Sequence, residues 1–184
     1  MTLTAAPVLE TERLRLRGPE TRDAEAVIAF LLDKERAELF GHYENRGNAW
    51  RWFALMVGHW HIHGYGYFII ADKNTDEAIG LCGIWNPEGW PEPEIGWVVF
   101  SGHEGKGIAF EAATRVRDYA YTDLGFETLT SNIVPGNKRS VKLAERMGAT
   151  YERTYQNIYM GEDMLYRHPP REDVLAEGGM EAYS

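Results

Sequence analysis

Three glycines in six residues, Gly102, Gly105 and Gly107, stand where an apolar run, Val98-Val99-Phe100, gives way to a helix-favouring stretch from Ala109 to Tyr121. A glycine loop feeding a helix start is an anion site. Free backbone N–H groups converge there, the helix dipole adds roughly half a positive charge, and glycine lets the backbone approach a ligand closely. The stretch His103 to Ala109 therefore reads as a cradle for a diphosphate. Two nucleotide-binding readings fail on spacing. Gly102-His103-Glu104-Gly105-Lys106-Gly107 is too short for a Walker A loop and carries Gly where that loop needs a hydroxyl. A dinucleotide fingerprint would need a third glycine where Phe110 stands. The run His59-Trp60-His61-Ile62-His63 places His59 and His63 on one helical face, as two zinc ligands would lie. Nothing at ligand spacing completes the set, so no metal is expected, and a pocket wall or a plain helix end remain as readings. Cys82 sits inside an apolar run with no neighbouring His to activate it, so no covalent intermediate is expected on it.

The elements that must position the loop follow from periodicity. Residues Glu10 to Arg17 alternate apolar and charged and predict one half-buried strand. Thr21 is a plausible N-cap for a helix through Leu32. A break near Gly41 precedes a second helix, from the segment 45–48 through Trp50, Phe53 and Val57 to about Ile62. Strands are expected at Tyr67–Asp72, Ala78–Trp85 and Glu94–Phe100, the last entering the glycine loop. After the long helix come a strand ending at Ile133, a helix capped by Asn137 with Gly148 as its stop, and an antiparallel pair, Tyr151–Tyr159 with Asp163–Arg167. The order β-α-α-β-β-β-α-β-α-β-β mixes hairpins with two crossovers and predicts an α+β fold on one mixed, mostly antiparallel sheet. A single domain over residues 1–184 is expected, with a core from about Leu9 to His168 and a loose tail over residues 169–184.

Composition narrows the function classes. A net charge of −9 argues against generic nucleic-acid binding and suits a basic substrate. No apolar run reaches the roughly 20 residues of a membrane span. Met1 to Pro7 shows no secretory pattern, and the lone Cys82 suits a reducing cytosol, so a cytoplasmic location is expected.

Glu104-Gly105-Lys106-Gly107-Ile108-Ala109 resembles the acyl-CoA loop of the GNAT superfamily of N-acetyltransferases, Gln/Arg-x-x-Gly-x-Gly/Ala, with Glu104 in the first position. Leu9 to Arg17, Glu94-Ile95-Gly96-Trp97, Asn137-Lys138-Arg139-Ser140 and Arg146-Met147-Gly148-Ala149 extend the likeness to the RimJ/RimL-like branch, over about Leu9 to His168. The resemblance implies a GNAT-like sheet flanked by helices, acetyl-CoA as cosubstrate, and an amine acceptor, either a protein N-terminus or a small molecule. It implies that Val98, Val99 and Phe100 offer backbone groups to the pantetheine arm, with the Val99 amide facing the thioester oxygen. It implies that the amides of His103, Glu104, Gly105, Lys106, Gly107, Ile108 and Ala109 take the diphosphate, and that Asn137 and Ser140 also touch the cofactor. The usual donor Tyr is absent, since Ala144 stands at its position. Ser140 matches the hydroxyl that branch uses instead, as a proton relay to the leaving thiolate or as helix capping alone. Glu94 matches a carboxylate that draws the amine proton through water or orients the amine; a plain strand Glu is the other reading. Trp85, Trp90, Trp97 and Tyr65 are candidates for the acceptor wall. The missing Tyr and Glu104 also admit a non-catalytic acyl-CoA-binding module.

Overall fold

The computed structural model describes residues 6–176. Eight strands form one sheet, ordered β1-β2-β3-β4-β5-β6-β8-β7. All neighbours run antiparallel except β5 and β6. The α+β expectation holds.

The opening segment differs from its expected form. It is two strands, β1 (Leu9–Glu10) and β2 (Leu14–Arg17), folded back on each other. The Thr11 amide donates to the Leu14 carbonyl and the Leu14 amide to Thr11 Oγ1, both at 3.0 Å. Alternating side chains persist on both sides of such a turn, so periodicity alone does not reveal it. Arg17 ends β2 buried, donating to both Asp23 oxygens at 2.8 and 2.9 Å. Asp23 also accepts the Glu20 amide at 2.7 Å, so this carboxylate, not Thr21, organises the turn into α1 (Ala24–Leu32).

A short helix, α2 (Lys34–Ala37), follows where only a break is expected; Asp33 caps it through the Arg36 amide at 3.2 Å. Asn45 caps α3 (Arg46–His63) through the Asn48 amide at 2.9 Å, and Gly64, at φ 75°, ends it. Then come β3 (Tyr67–Asp72), β4 (Ala78–Trp85), β5 (Glu94–Val99), α4 (Ile108–Thr122), β6 (Thr130–Ile133), α5 (Lys138–Arg146), β7 (Thr150–Asn157) and β8 (Gly161–Arg167).

Each face of the sheet has its own helical layer. Tyr67, Ile69, Leu81, Trp85 and Val98 point to α1 and α3, meeting Val27, Leu31, Phe53 and Met56. Phe68, Ile70, Cys82, Ile84 and Ile95 point the other way, to the small-residue side of α4, Ala112, Ala113, Val116 and Ala120. Burial on both faces explains why β3 and β4 read as continuous apolar runs. The expected loose tail gives way, within the described residues, to α6 (Arg171–Ala176), whose Val174 joins the α4-side core while the Arg171 amide bonds the Glu127 carbonyl at 2.9 Å. The rest of that tail lies outside the described residues. Among the described residues, no helix is long and apolar enough to cross a membrane.

Candidate active site

The site begins where the sheet splits. β5 and β6 share a single register pair, Glu94 with Thr130, and Ser131 Oγ donates to the Ile95 carbonyl at 2.8 Å just beyond it. From there β5 stays paired to β4 up to Val99 opposite Gly80, while β6 leaves. The Phe100 amide donates to the Ile79 carbonyl at 2.8 Å. In an antiparallel pair the bonding direction alternates, so Val98 and Phe100 face β4 whereas Trp97 and Val99 turn their N–H and C=O groups into the gap. This corrects the expected set. Val99 turns its amide into the gap, and Val98 lines the cleft with its backbone paired to β4. Phe100 is buried, with its amide used and its ring stacked on Phe30 at 5.5 Å. Trp97 is the missed partner of Val99; strand parity names it only once the β4 register is known.

The glycine loop ends this strand. Gly105 and Gly107 adopt φ 74° and 78°, left-handed values that side-chain-bearing residues avoid. A Cβ on Gly105 would meet nothing within 4 Å, and on Gly107 only Arg13 Nη2 at 3.5 Å, so conformation rather than crowding demands glycine. Among the described residues, no acceptor bonds the amides from Glu104 to Ala109. The His103 amide is used internally, on the Phe100 carbonyl at 3.2 Å. Lys106 turns its ammonium onto the Gly102 carbonyl at 2.9 Å instead of lining the cleft. Glu104 pairs with Arg36 of α2 and accepts the Gly102 amide at 2.9 Å, which directs its charge to partners of its own. Arg13, which sequence patterning treats as one more exposed strand charge, braces the loop. It donates to the Lys106 carbonyl at 2.9 Å and to Glu111 Oε2 at 2.7 Å. That carbonyl is held back, so the following amides face outward. Converging free N–H groups at the start of a 15-residue helix fit the diphosphate of an acyl-CoA.

A cleft of about 910 Å³ runs from this loop through the split to the α1–α3 side. Its far wall includes Phe40, Trp52, Tyr67, Trp85, Trp90 and Tyr159. Trp52 lies 5.5 Å from Phe40 and 5.8 Å from Trp85, and Trp90 stacks on Tyr159 at 5.5 Å. Gly96 leaves room for the Tyr67 hydroxyl, which a Cβ there would meet at 2.1 Å. Trp85, Trp90 and Trp97 line the cleft as expected; Tyr65 does not. His59 serves as a buttress. Its Nδ1 donates to the Tyr65 carbonyl at 2.8 Å, its Nε2 accepts the Asn86 amide at 3.0 Å, and its ring stacks on Trp85 at 4.4 Å. Both ring nitrogens are taken. Among the described residues, no group of three or more His, Cys, Asp or Glu is arranged to hold a metal.

Glu94 lies buried at the fork of the split. Trp90 Nε1 donates to its Oε1 at 2.9 Å, and the Asn132 amide and Nδ2 donate to its Oε2 at 2.9 and 2.8 Å. Burial outweighs these bonds and pushes its carboxyl up to about 7, with the nearby charge of Asp163 adding to the rise. Asn137 and Ser140 line the cleft at the start of α5, where Asn137 Oδ1 accepts the Ser140 amide at 3.2 Å. Ala144, at the usual donor position, is packed with Ile133, Ala149 and Tyr166. Cys82 is fully buried, and burial raises its thiol far from reactivity.

A sheet split beside a glycine-loop helix start, with one cleft crossing it, defines an acyltransferase. Its family is also clear: residues 13–150 match the model of the acetyltransferase (GNAT) domain, and the chain belongs to that family. It is 31% identical over 155 residues to YkkB of Bacillus subtilis (strain 168), across 83% of this chain and 90% of that protein. It is 33% identical over 141 residues to the uncharacterized N-acetyltransferase p20 of Bacillus licheniformis, across 73% and 78%. Its fold superposes on a crystal structure of an acetyltransferase from Agrobacterium tumefaciens with a TM-score of 0.82 at 36% identity, covering 90% of this chain and 95% of that one.

Proposed function

We propose that this enzyme moves an acetyl group from acetyl-CoA to a primary amine by direct attack within a ternary complex. The observation that carries the reading is the divergence of β5 from β6 after one register pair, which leaves the Val99 amide facing the gap beside the unpaired loop amides. Acetyl-CoA would lay its diphosphate on the amides around Gly105 and Gly107 and its pantetheine arm along Trp97 and Val99, as an added strand. The Val99 N–H would meet the oxygen that gains charge as the tetrahedral intermediate forms.

A free amine titrates near 10 and must shed a proton before it attacks. Glu94, raised to about 7 and buried at the fork, suits a base acting directly or through one water near neutral pH. As the C–N bond forms and the C–S bond breaks, the departing thiolate needs a proton, and Ser140 on the cleft wall is the hydroxyl we assign to relay it. Cys82, buried and inert, supports transfer without a covalent enzyme intermediate. The RimJ/RimL-like branch and a cytosolic location belong to the same proposal. They rest on the Leu9–Arg17 and Asn137–Ser140 motifs and on the lone cysteine. The non-catalytic alternative is not favoured. A thiol-release assay with acetyl-CoA across peptide N-termini, amino acids and small amines tests the reading; binding of acetyl-CoA without turnover on any amine would sink it.

A further inference from the structure

We infer that the acceptor carries a second cationic nitrogen besides the reacting amine, and that Asp163, at the far end of the cleft, receives it. The inference rests on the proposed transfer reaction for the position of the reacting amine; the subsite itself rests on geometry.

Cross-strand partners share a sheet face. The registers place Glu94 beside Thr130, and Asn132 and Asp163 on that same face, the one covered by α1 and α3. β5 and β8 lie on either side of β6, and Asp163 stands four residues along β8 from Arg167, the partner of Thr130, so the two carboxylates share the cleft without sharing a site. Asp163 is 2% exposed, and it lines the cleft. Its Oδ2 is fixed by Asn157 Nδ2 at 3.0 Å, while Oδ1 is buried with no hydrogen-bond partner. Asn132 shows the same pattern: its Nδ2 serves Glu94 and its Oδ1 is buried and unpartnered. Two orphaned acceptors on one wall ask for N–H donors from a ligand, because an unmatched buried acceptor costs stability until something donates to it.

The surroundings fit a cation. The cleft's charged lining is Glu35, Glu38, Glu94, Glu104 and Asp163 with Arg36, Arg139, Lys142 and Arg146. Arg36 is already paired with Glu104, the other three cations stand on α5, and the only charged groups from β5, β6 and β8 are the carboxylates Glu94 and Asp163. Trp85, Trp90 and Tyr159 also line the cleft, and aromatic rings favour an alkylammonium over an anion. Asn157 also accepts the Tyr159 and Met160 amides at 2.8 and 3.2 Å, so the turn between β7 and β8 and the Asp163 carboxylate are held by one side chain. A diamine-type acceptor would place one nitrogen beside Glu94 and the other against Asp163.

The test compares short α,ω-diaminoalkanes with n-alkylamines of equal carbon count on the full chain. Binding is read by calorimetry in the presence of CoA, and turnover by thiol release from acetyl-CoA. The wild-type protein should bind the best diamine about 10- to 100-fold more tightly than its monoamine, the scale of one charge-assisted hydrogen bond. Asp163→Asn keeps an oxygen for Asn157 and removes the charge; it should erase that preference in calorimetry, bringing diamine affinity down to that of the monoamine. Equal wild-type affinity for diamine and monoamine overturns the inference without any variant, so a misfolded Asp163→Asn does not shield it. A variant that keeps the preference overturns it too. Diamine preference in calorimetry with no thiol release from any amine would leave the subsite standing and refute the transfer reading; turnover of both amines with equal affinity would do the reverse.

Discussion

Replacing Glu94 by Gln removes the titrating group at the fork while keeping its size. The carboxyl is lifted from an ordinary 4.5 to about 7 by burial. At 1.36 kcal/mol per unit that is about 3 kcal/mol. The sign follows from proton counts. Below pH 4.5 both folded and unfolded chains hold the proton. Between 4.5 and 7 the folded chain keeps a proton that the unfolded chain has lost, so this group's contribution to stability falls as pH rises and is fully lost above about 7. Glu94→Gln abolishes that dependence. The new amide can accept both Asn132 donors but then faces Trp90 Nε1–H with a donor of its own, a mismatch costing about 1–3 kcal/mol at any pH. Urea unfolding should therefore show a stability difference between pH 4 and pH 8 that is smaller in the variant by about 3 kcal/mol. In kinetics, the ratio of wild-type to variant kcat/KM cancels the titration of the amine itself. It should climb about tenfold per pH unit below 7 and level off above, at roughly 10²–10⁴ if Glu94 is the general base. A ratio that stays flat from pH 5.5 to 8.5 would refute the base assignment, and unfolding curves with the same pH dependence in both proteins would refute the raised carboxyl.

Other substitutions probe the remaining parts. Gly107→Val forces a β-branched residue to φ 78°, a strain of about 1–3 kcal/mol. The loop should distort, acetyl-CoA affinity should fall at least about tenfold by calorimetry, and the far-UV spectrum should hold; unchanged affinity would remove the loop from the binding site. Ser140→Ala should lower the transfer rate more than cofactor affinity, and equal rates would return Ser140 to helix capping. Asp23→Ala removes two charged hydrogen bonds from the buried Arg17 guanidinium, which keeps Asp76 as its remaining ion-pair partner, and should cost about 1.5–3 kcal/mol in urea unfolding, with a loss under 1 kcal/mol marking the pair as dispensable.

The glycine loop, the helix it feeds and the central strands were legible in sequence because each rests on local rules: left-handed glycines, an apolar strand run, a small-residue helix face. Asn137 as a cap and Gly148 as a stop are equally local. The turn at Thr11–Arg13 and the Asp23 cap escaped because both depend on distant or buried partners, Glu111 for Arg13 and Arg17 for Asp23. Which of Val98, Val99 and Phe100 faces the gap is a matter of parity against β4, and one residue of register exchanges every assignment. Glu94 could be nominated from its neighbours in sequence, yet its elevated carboxyl comes from burial among β5, β6 and the 86–93 loop. Asp163, some seventy residues further on, met the same face only when β8 came to lie against β6. Sequence thus determined the glycine loop we propose as the anion cradle, because its chemistry sits in consecutive backbone amides. The acceptor side was left to the tertiary structure, because its side chains come from strands and loops that no local spacing relates.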